Sequence, residues 1–269
     1  MVIFMSHSAK IAIIVIAVVV TLIGCGCMVF FLGAPKHDSV IMIGHRGYSS
    51  KNPDNTDVSF IRAAEHGSKG VETDVRITKD NVFVLSHDSE TEFADGSALK
   101  ISESTYAELT AKPLKNKKSD DTVYLCTLQR YLEICKEYNM ICFIELKGGY
   151  TDQQVEDVYK FFDEYYNVEK CIMQSFEFDN LIKAKEMCTR VFPGRNVRFM
   201  LTWGKDRGDY HKCIEYGFDI DADFGSLTQK MVEEFHENDL QVACWTCNGP
   251  FSLHWAYWHK VDYIESDVY

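Results

Sequence analysis

Eight short runs rich in β-branched and apolar residues set the narrowest limit on how this chain can fold. They span residues 40–43, 70–75, 141–145, 171–175, 198–202, 218–221, 241–245 and 261–265. Between them lie stretches whose apolar residues recur at helical spacing, at 58–66, 128–138, 152–165, 179–191, 206–216, 227–238 and 251–259. Strands that alternate with helices of this length pair in parallel through crossovers. Eight such units predict an α/β fold, a closed (β/α)8 TIM-type barrel. An open doubly wound sheet would carry a G-x-G-x-x-G after a strand, and the sequence has none. The last strand has almost no chain behind it, so the eighth outer helix is missing or replaced from elsewhere.

One run breaks the alternation. Residues 82–86 are strand-like, yet only four residues separate them from the run that begins at Gly70. Four residues cannot make a parallel crossover. The segment from Val71 to His87 therefore reads as a β-hairpin turning at Lys79-Asp80-Asn81. Antiparallel pairing about that turn sets His87 opposite Glu72–Asp74.

Ahead of the barrel, residues 11–32 run without a charge: IAIIVIAVVVTLIGCGCMVFFL. As a helix this run is ~33 Å long, enough to cross a hydrocarbon core of ~30 Å. The expectation is a single-pass anchor formed by residues 1–36, followed by a catalytic domain of residues 37–269 outside the cytoplasm. Leu22-Ile23-Gly24-Cys25 also has the look of a lipobox, so a lipoprotein-like signal is the alternative. The net charge of −12, from 40 acidic and 28 basic residues, argues against a nucleic-acid partner met through a basic face. The ten cysteines are scattered among apolar residues, which suits buried thiols better than a disulfide framework. Cys244 and Cys247 form one C-x-x-C, but a zinc ribbon needs a second.

The residues that can do chemistry gather at predicted strand ends. Gly44-His45-Arg46-Gly47 follows the first strand, Glu72-Thr73-Asp74 lies on the second, His87-Asp88 closes the hairpin, and Glu145-Leu146-Lys147 ends the next strand. In a barrel the carboxyl ends of the strands form the active face. Strand side chains alternate, so Glu72 and Asp74 share one face, as do Glu145 and Lys147. Three crowded carboxylates repel unless a cation or protons relieve them. Their oxygens suit a hard divalent ion, Ca²⁺ or Mg²⁺. Such an ion, with Lys147 and Arg46, would attract a phosphate, and two histidines could share the proton transfers.

The string IGHRGYSSKNPDNTDVSFIRAAEHGSKGVETDVRITKDNVFVLSHD resembles the opening of the glycerophosphodiester phosphodiesterase family. Later segments agree: FIELK, MQSF, VACWTCN and VDYIESD. The resemblance covers about residues 40–269. It implies a TIM-type barrel with one divalent cation at its mouth, held by Glu72, Asp74 and Glu145. It implies His45 and His87 as the catalytic acid–base pair and Arg46 and Lys147 as phosphate contacts. Trp245 and Asn248 fall where the family's W-T-x-N forms a pocket wall. Residues 89–124 correspond to the family's variable insertion. Two departures stand out. Pro53-Asp54-Asn55-Thr56 replaces P-E-N-T, and Ile264-Glu265-Ser266-Asp267 replaces I-I-T-D, which adds Glu265 near the rim with no role. The implied reaction is metal-dependent hydrolysis of glycerophosphodiesters to glycerol 3-phosphate and an alcohol. One alternative is a lysophospholipase D-like or phospholipase-like activity on a lysolipid, with Phe93, Tyr106, Phe251, Trp255, Tyr257 and Trp258 gripping an acyl chain at the rim. Another is a non-catalytic, membrane-tethered binding domain, whose mark would be the loss of a metal ligand or histidine; all five are present.

Overall fold

The structure is a computed structural model that describes residues 15, 16, 18–21 and 40–268. Its strands and helices follow the predicted alternation. Strand β1 (Ile41–Gly44) leads to helix α1 (Asp57–Glu65) and the long strand β2 (Gly70–Ile77). After β3 (Phe83–Leu85), β4 (Glu90–Glu92), β5 (Ala98–Lys100) and α2 (Tyr106–Thr110), the alternation resumes with α3 (Leu128–Tyr138), β6 (Ile141–Leu146) and α4 (Asp152–Tyr165). It continues through β7 (Cys171–Ser175), α5 (Phe178–Val191), β8 (Phe199–Trp203) and α6 (His211–Tyr216). It ends with β9 (Asp219–Asp223), α7 (Gln229–Glu237), β10 (Val242–Trp245), α8 (Pro250–Trp258) and β11 (Tyr263–Ser266). β1, β2 and β6 to β11 pair in parallel, and the β1–β11 and β1–β2 pairings close the ring. All eight predicted barrel strands form.

Threonine starts five of the helices. Thr56, Thr105, Thr127, Thr151 and Thr228 each accept a hydrogen bond from the backbone N–H three residues on, which caps α1, α2, α3, α4 and α7. α6 is shorter than the expected 206–216. Its first turn is displaced by a loop in which Gly208 takes φ +85° and its carbonyl accepts the Trp203 indole N–H. The barrel interior is a small apolar layer of Ile43, Phe143, Ile172, Met200, Ala243 and Tyr263. A larger core packs the outer face of the strands against the helices. No described helix follows β11. On the outer face of β1, Met42 Sδ meets the Tyr257 hydroxyl of α8 at 3.5 Å.

The hairpin forms in the register read from the sequence. β2 has eight residues and β1 only four, so β1 covers β2 only at Gly70 and Val71. The bare edge beyond is taken by β3, with Val75 opposite Leu85 and Ile77 opposite Phe83. Ser86 N–H donates to the Asp74 carbonyl at 2.9 Å, so the chain reaches His87 beside the carboxylates of β2.

The insertion has elements that its sequence did not disclose. β4 and β5 form a separate antiparallel pair. Phe93, Ile101, Leu109 and Leu125 close over Val84 in a miniature core. Phe93 is 1% exposed there, which removes it from the aromatic residues that could grip a chain at the rim. Lys118 ties the insertion to the β1–α1 loop through the Ser49 carbonyl at 2.7 Å and the Asp54 carboxylate.

The predicted membrane segment lies largely outside the described residues. Val15, Ile16 and residues 18–21 are helical and exposed. Among the described residues no helix is long and apolar enough to cross a membrane. The eight described cysteines are all buried and none forms a disulfide.

Candidate active site

Two residues past the apolar layer, the barrel interior turns polar. Ile43 gives way to His45, Phe143 to Glu145, Ile172 to Gln174, Met200 to Thr202 and Tyr263 to Glu265. Because strand side chains alternate, each of these polar residues faces inward like the apolar one before it. They line a cavity of about 150 Å³, joined by Arg46, Glu72, His87, Lys147, Phe176, Asp221, Trp245 and Thr246. Seven of the eight predicted site residues thus share one cavity. The eighth, Asp74, lies behind it at 1% exposure and touches it through Arg46 and Lys147.

Glu72, Asp74 and Glu145 are buried, each with a carboxylate oxygen within 4.8 Å of the other two. Asn55 positions this group. Its amide N–H donates to Asp74 Oδ2 at 2.8 Å, and its carbonyl accepts the Asp74 backbone N–H and the Thr73 hydroxyl. The Arg46 backbone N–H donates to Glu72 at 2.9 Å. That contact needs the sharp turn in which Arg46 takes φ 55° and Gly47 φ 85°; a Cβ on Gly47 would strike Ser59. Lys147 Nζ sits 3.0 Å from Asp74 and 2.8 Å from Glu145, and Arg46 Nε is 3.3 Å from Asp74.

The environments split the three acids. Burial raises Asp74, but Lys147, Arg46 and the Asn55 hydrogen bond overcome it and leave the carboxyl below its usual range. Burial, then the nearby Asp74 and Glu265, push Glu72 well up despite Arg46. Burial lifts Glu145 to about 7 against the pull of Lys147. An oxygen-only trio whose members resist ionising together fits a hard divalent cation, which would relieve the repulsion.

The histidines are held differently. His45 Nδ1 lies 2.7 Å from Asp267 Oδ1. A carboxylate can only accept, so Nδ1 carries the proton and Nε2 is the nitrogen left for the cavity. Asp267 also accepts from the Ser49 hydroxyl at 2.8 Å and the Asn248 amide at 2.6 Å. Burial would raise its pKa, but these donors and the imidazole hold it well below the usual carboxylate range. His87 is half-exposed, with Nδ1 2.9 Å from Asp88. Arg76 anchors the strand end by donating to the Ser86 and His87 carbonyls. His87 and Arg46 also border a second cleft of about 400 Å³ between the hairpin and the insertion.

Sequence reasoning missed part of the site. Asp267 and Asn55 stood in quoted motifs without a role. Glu265 was expected near the rim; it is 2% exposed and faces the cavity, because Tyr263 two residues before it already faces inward. Gln174 Nε2 donates to Glu265 at 3.0 Å and to Asp221 at 2.9 Å. Burial is the main reason that both carboxyls lie well above their usual range. The alternation of inward apolar and polar residues, applied to every strand, was the signal that could have found this group. Trp245 lines the cavity: its indole N–H donates to the Asp221 carbonyl at 3.2 Å, and Phe176 stands edge-on to it at 6.1 Å.

The comparisons bear on the family and the fold. The model of the glycerophosphoryl diester phosphodiesterase family matches residues 45–268. Glycerophosphodiester phosphodiesterase 1 of Mus musculus is 28% identical over 246 residues, which cover 78% of this chain and 72% of that protein. A glycerophosphodiester phosphodiesterase of Caldanaerobacter subterraneus is 25% identical over 77% of this chain and 85% of its own length. The crystal structure of a glycerophosphodiester phosphodiesterase from Parabacteroides distasonis is 25% identical, with a TM-score of 0.67 over 86% of this chain and 93% of that one. An Oleispira antarctica phosphodiesterase, solved with the product sn-glycerol-3-phosphate, has a TM-score of 0.69 at 20% identity, over 84% of this chain and 92% of that one. With its barrel closed and its acids and histidines gathered at the strand ends, the chain belongs to the glycerophosphoryl diester phosphodiesterase family and is an enzyme, a phosphoric diester hydrolase.

Proposed function

We propose that this enzyme hydrolyses glycerophosphodiesters to glycerol 3-phosphate and an alcohol, with one divalent cation, Ca²⁺ or Mg²⁺, held by Glu72, Asp74 and Glu145. The observation that carries the reading is the juxtaposition of His45, fixed by Asp267, with that buried trio of acids. When bound, the cation supplies Lewis-acid charge that offsets the negative charge building on the phosphate. Arg46 and Lys147 line the same cavity and bring positive charge to the non-bridging oxygens. His45, with Nδ1 committed to Asp267, takes the proton of the attacking hydroxyl on Nε2. That hydroxyl belongs to water or to the glycerol itself. His87, on the side that opens to the larger cleft, gives a proton to the departing alkoxide.

The test is a panel of glycerophosphodiesters assayed in EDTA and again with each ion restored. Turnover should vanish in EDTA and return with Ca²⁺ or Mg²⁺. Undiminished hydrolysis in EDTA would remove the cation from the account. The uncharged run at residues 11–32 supports a tether to a membrane, and the orientation proposed with it puts the barrel outside the cytoplasm. Protease added to intact cells should then digest the barrel; protection of the barrel until lysis would refute that orientation.

A further inference from the structure

We propose that helix α8 is an interfacial docking surface: its outward face, with Phe251 and Trp258, lies in the headgroup layer of the bilayer to which the chain is tethered. The inference rests on the tether proposed above, and it names the flank of the barrel that meets the lipid.

The helix is inside out for one that faces water. Its sequence is PFSLHWAYW, and the residues it buries are Ser252 and Ala256. Phe251 and Trp258 are instead 60% and 57% exposed. They stand two turns apart and so share one face. A water-facing helix carries charged or polar groups on that face. This one has no charge to put there: residues 240–259 contain no Asp, Glu, Lys or Arg, in a chain that is 25% charged. Phe224, just past β9, extends the aromatic surface, edge-on to Phe251 at 6.1 Å and to Trp255 at 5.6 Å. None of Phe251, Trp255, Tyr257 and Trp258 lines the catalytic cavity or the cleft beside His87, so substrate contact does not account for them.

The tether brings this face to the membrane. The uncharged run ends at Leu32, and residues 33–40 lead from it to β1. A stretch of that length spans at most ~28 Å, which bounds the distance from the run to the barrel. β1 starts beside the end of α8. The Ile41 N–H donates to the carbonyl of Asp262, in the turn between α8 and β11, at 2.9 Å, and Met42 meets Tyr257 of α8. α8 runs back from the mouth, after β10, to the opposite end, before β11, over ~13 Å of barrel wall. Docking along its length lays the barrel on its flank, with the mouth opening along the membrane surface.

The chemistry of the face selects the interface between lipid and water. Tryptophan and tyrosine join an apolar ring to a polar handle and concentrate at that level. The histidines fit the same hydrated layer; His259 stacks on Trp255 at 3.9 Å. Lys260, exposed just past the helix, offers its charge to lipid phosphates.

Tryptophan is the reporter, because the apolar run has none and two of the chain's four, Trp255 and Trp258, stand on α8. The full chain is reconstituted into phosphatidylcholine vesicles with and without bromine near the top of the acyl chains, and flotation checks attachment. Bromine should remove at least ~25% of the emission, and Trp258→Phe, which keeps the face apolar, should roughly halve that loss. In a Phe251→Ser, Trp258→Ser variant the loss should vanish, although the chain still floats and hydrolyses glycerophosphocholine with unchanged kcat. A chain that does not float overturns the tether and the docking with it. A chain that floats without quenching overturns the docking alone, whether water or a second copy covers the face. Quenching that survives in the double serine variant also overturns it.

Discussion

Raising the pH of the cation-free enzyme from ~5 to ~8 should destabilise it, and a divalent cation should reverse the loss. The reason is the crowding of acids in the cavity. Glu145 titrates at about 7 in the folded chain against an ordinary 4.5. Between those values the folded state keeps a proton that the unfolded state has released. The stabilisation is therefore complete below ~4.5 and is lost as pH rises through ~7. At ~1.4 kcal/mol per tenfold change in proton affinity, Glu145 alone contributes about 3 kcal/mol. Glu72, Asp221 and Glu265 are raised too and act in the same direction. Asp74 is lowered, so its contribution changes only in more acidic solution. For a domain of this size ~1 kcal/mol moves Tm by ~2–4 °C, which gives a fall of roughly 6–12 °C. The assay is thermal unfolding followed by circular dichroism, in EDTA at both pH values and again with Ca²⁺ or Mg²⁺. A cation that binds only the folded, ionised cluster should restore ~3 kcal/mol at about 100 times its Kd. Glu145→Gln should flatten part of the slope. A Tm in EDTA that holds steady or rises from pH ~5 to ~8 would refute the reasoning, as would a cation without effect at the higher pH.

Other consequences are equally accessible. His45→Ala and His87→Ala should each lower kcat by ~10²–10⁴-fold with an unchanged circular dichroism spectrum; a double variant that still hydrolyses substrate would defeat the acid–base assignment. Asp267→Asn should cut kcat by ~10-fold or more and reshape the pH–rate profile, because its amide no longer fixes the proton on His45 Nδ1; an unchanged profile would make the 2.7 Å contact incidental. Gly47→Ala should cost at least ~2 kcal/mol in urea unfolding, since its Cβ would lie 2.6 Å from the Ser59 carbonyl carbon at a φ of +85°. Lys118→Ala should change global stability by no more than ~1 kcal/mol, as its contacts are half-exposed, yet hydrogen exchange in the insertion should accelerate.

The barrel was legible because its signals are local. Each strand is a compact apolar run, and the stretches between them repeat their apolar residues at helical spacing. The hairpin was legible because a four-residue gap excludes every parallel connection, and its register then placed His87 correctly. The acids and histidines were legible as types at strand ends. The floor of the cavity was not, because Gln174, Thr202 and Asp221 sit singly on separate strands and meet only when the sheet closes. The insertion escaped for another reason. β4 and β5 have three residues each, and with exposed glutamates and a lysine they show no clear alternation; pairing with each other and packing over Phe93 define them. α6 was drawn too long because the loop before it contains charged residues that suit a helix, while Gly208 turns the chain away.

The insertion hangs from the barrel by the extra length of β2. Because β3 borrows an edge that β1 leaves bare, and because the segment behind it closes on its own small core, the two halves of the molecule answer to separate constraints. Evolution can lengthen, recharge or exchange that outer cassette without disturbing the closed ring or the acids inside it. The cleft that the cassette borders can then change its lining while the acids in the ring keep their places.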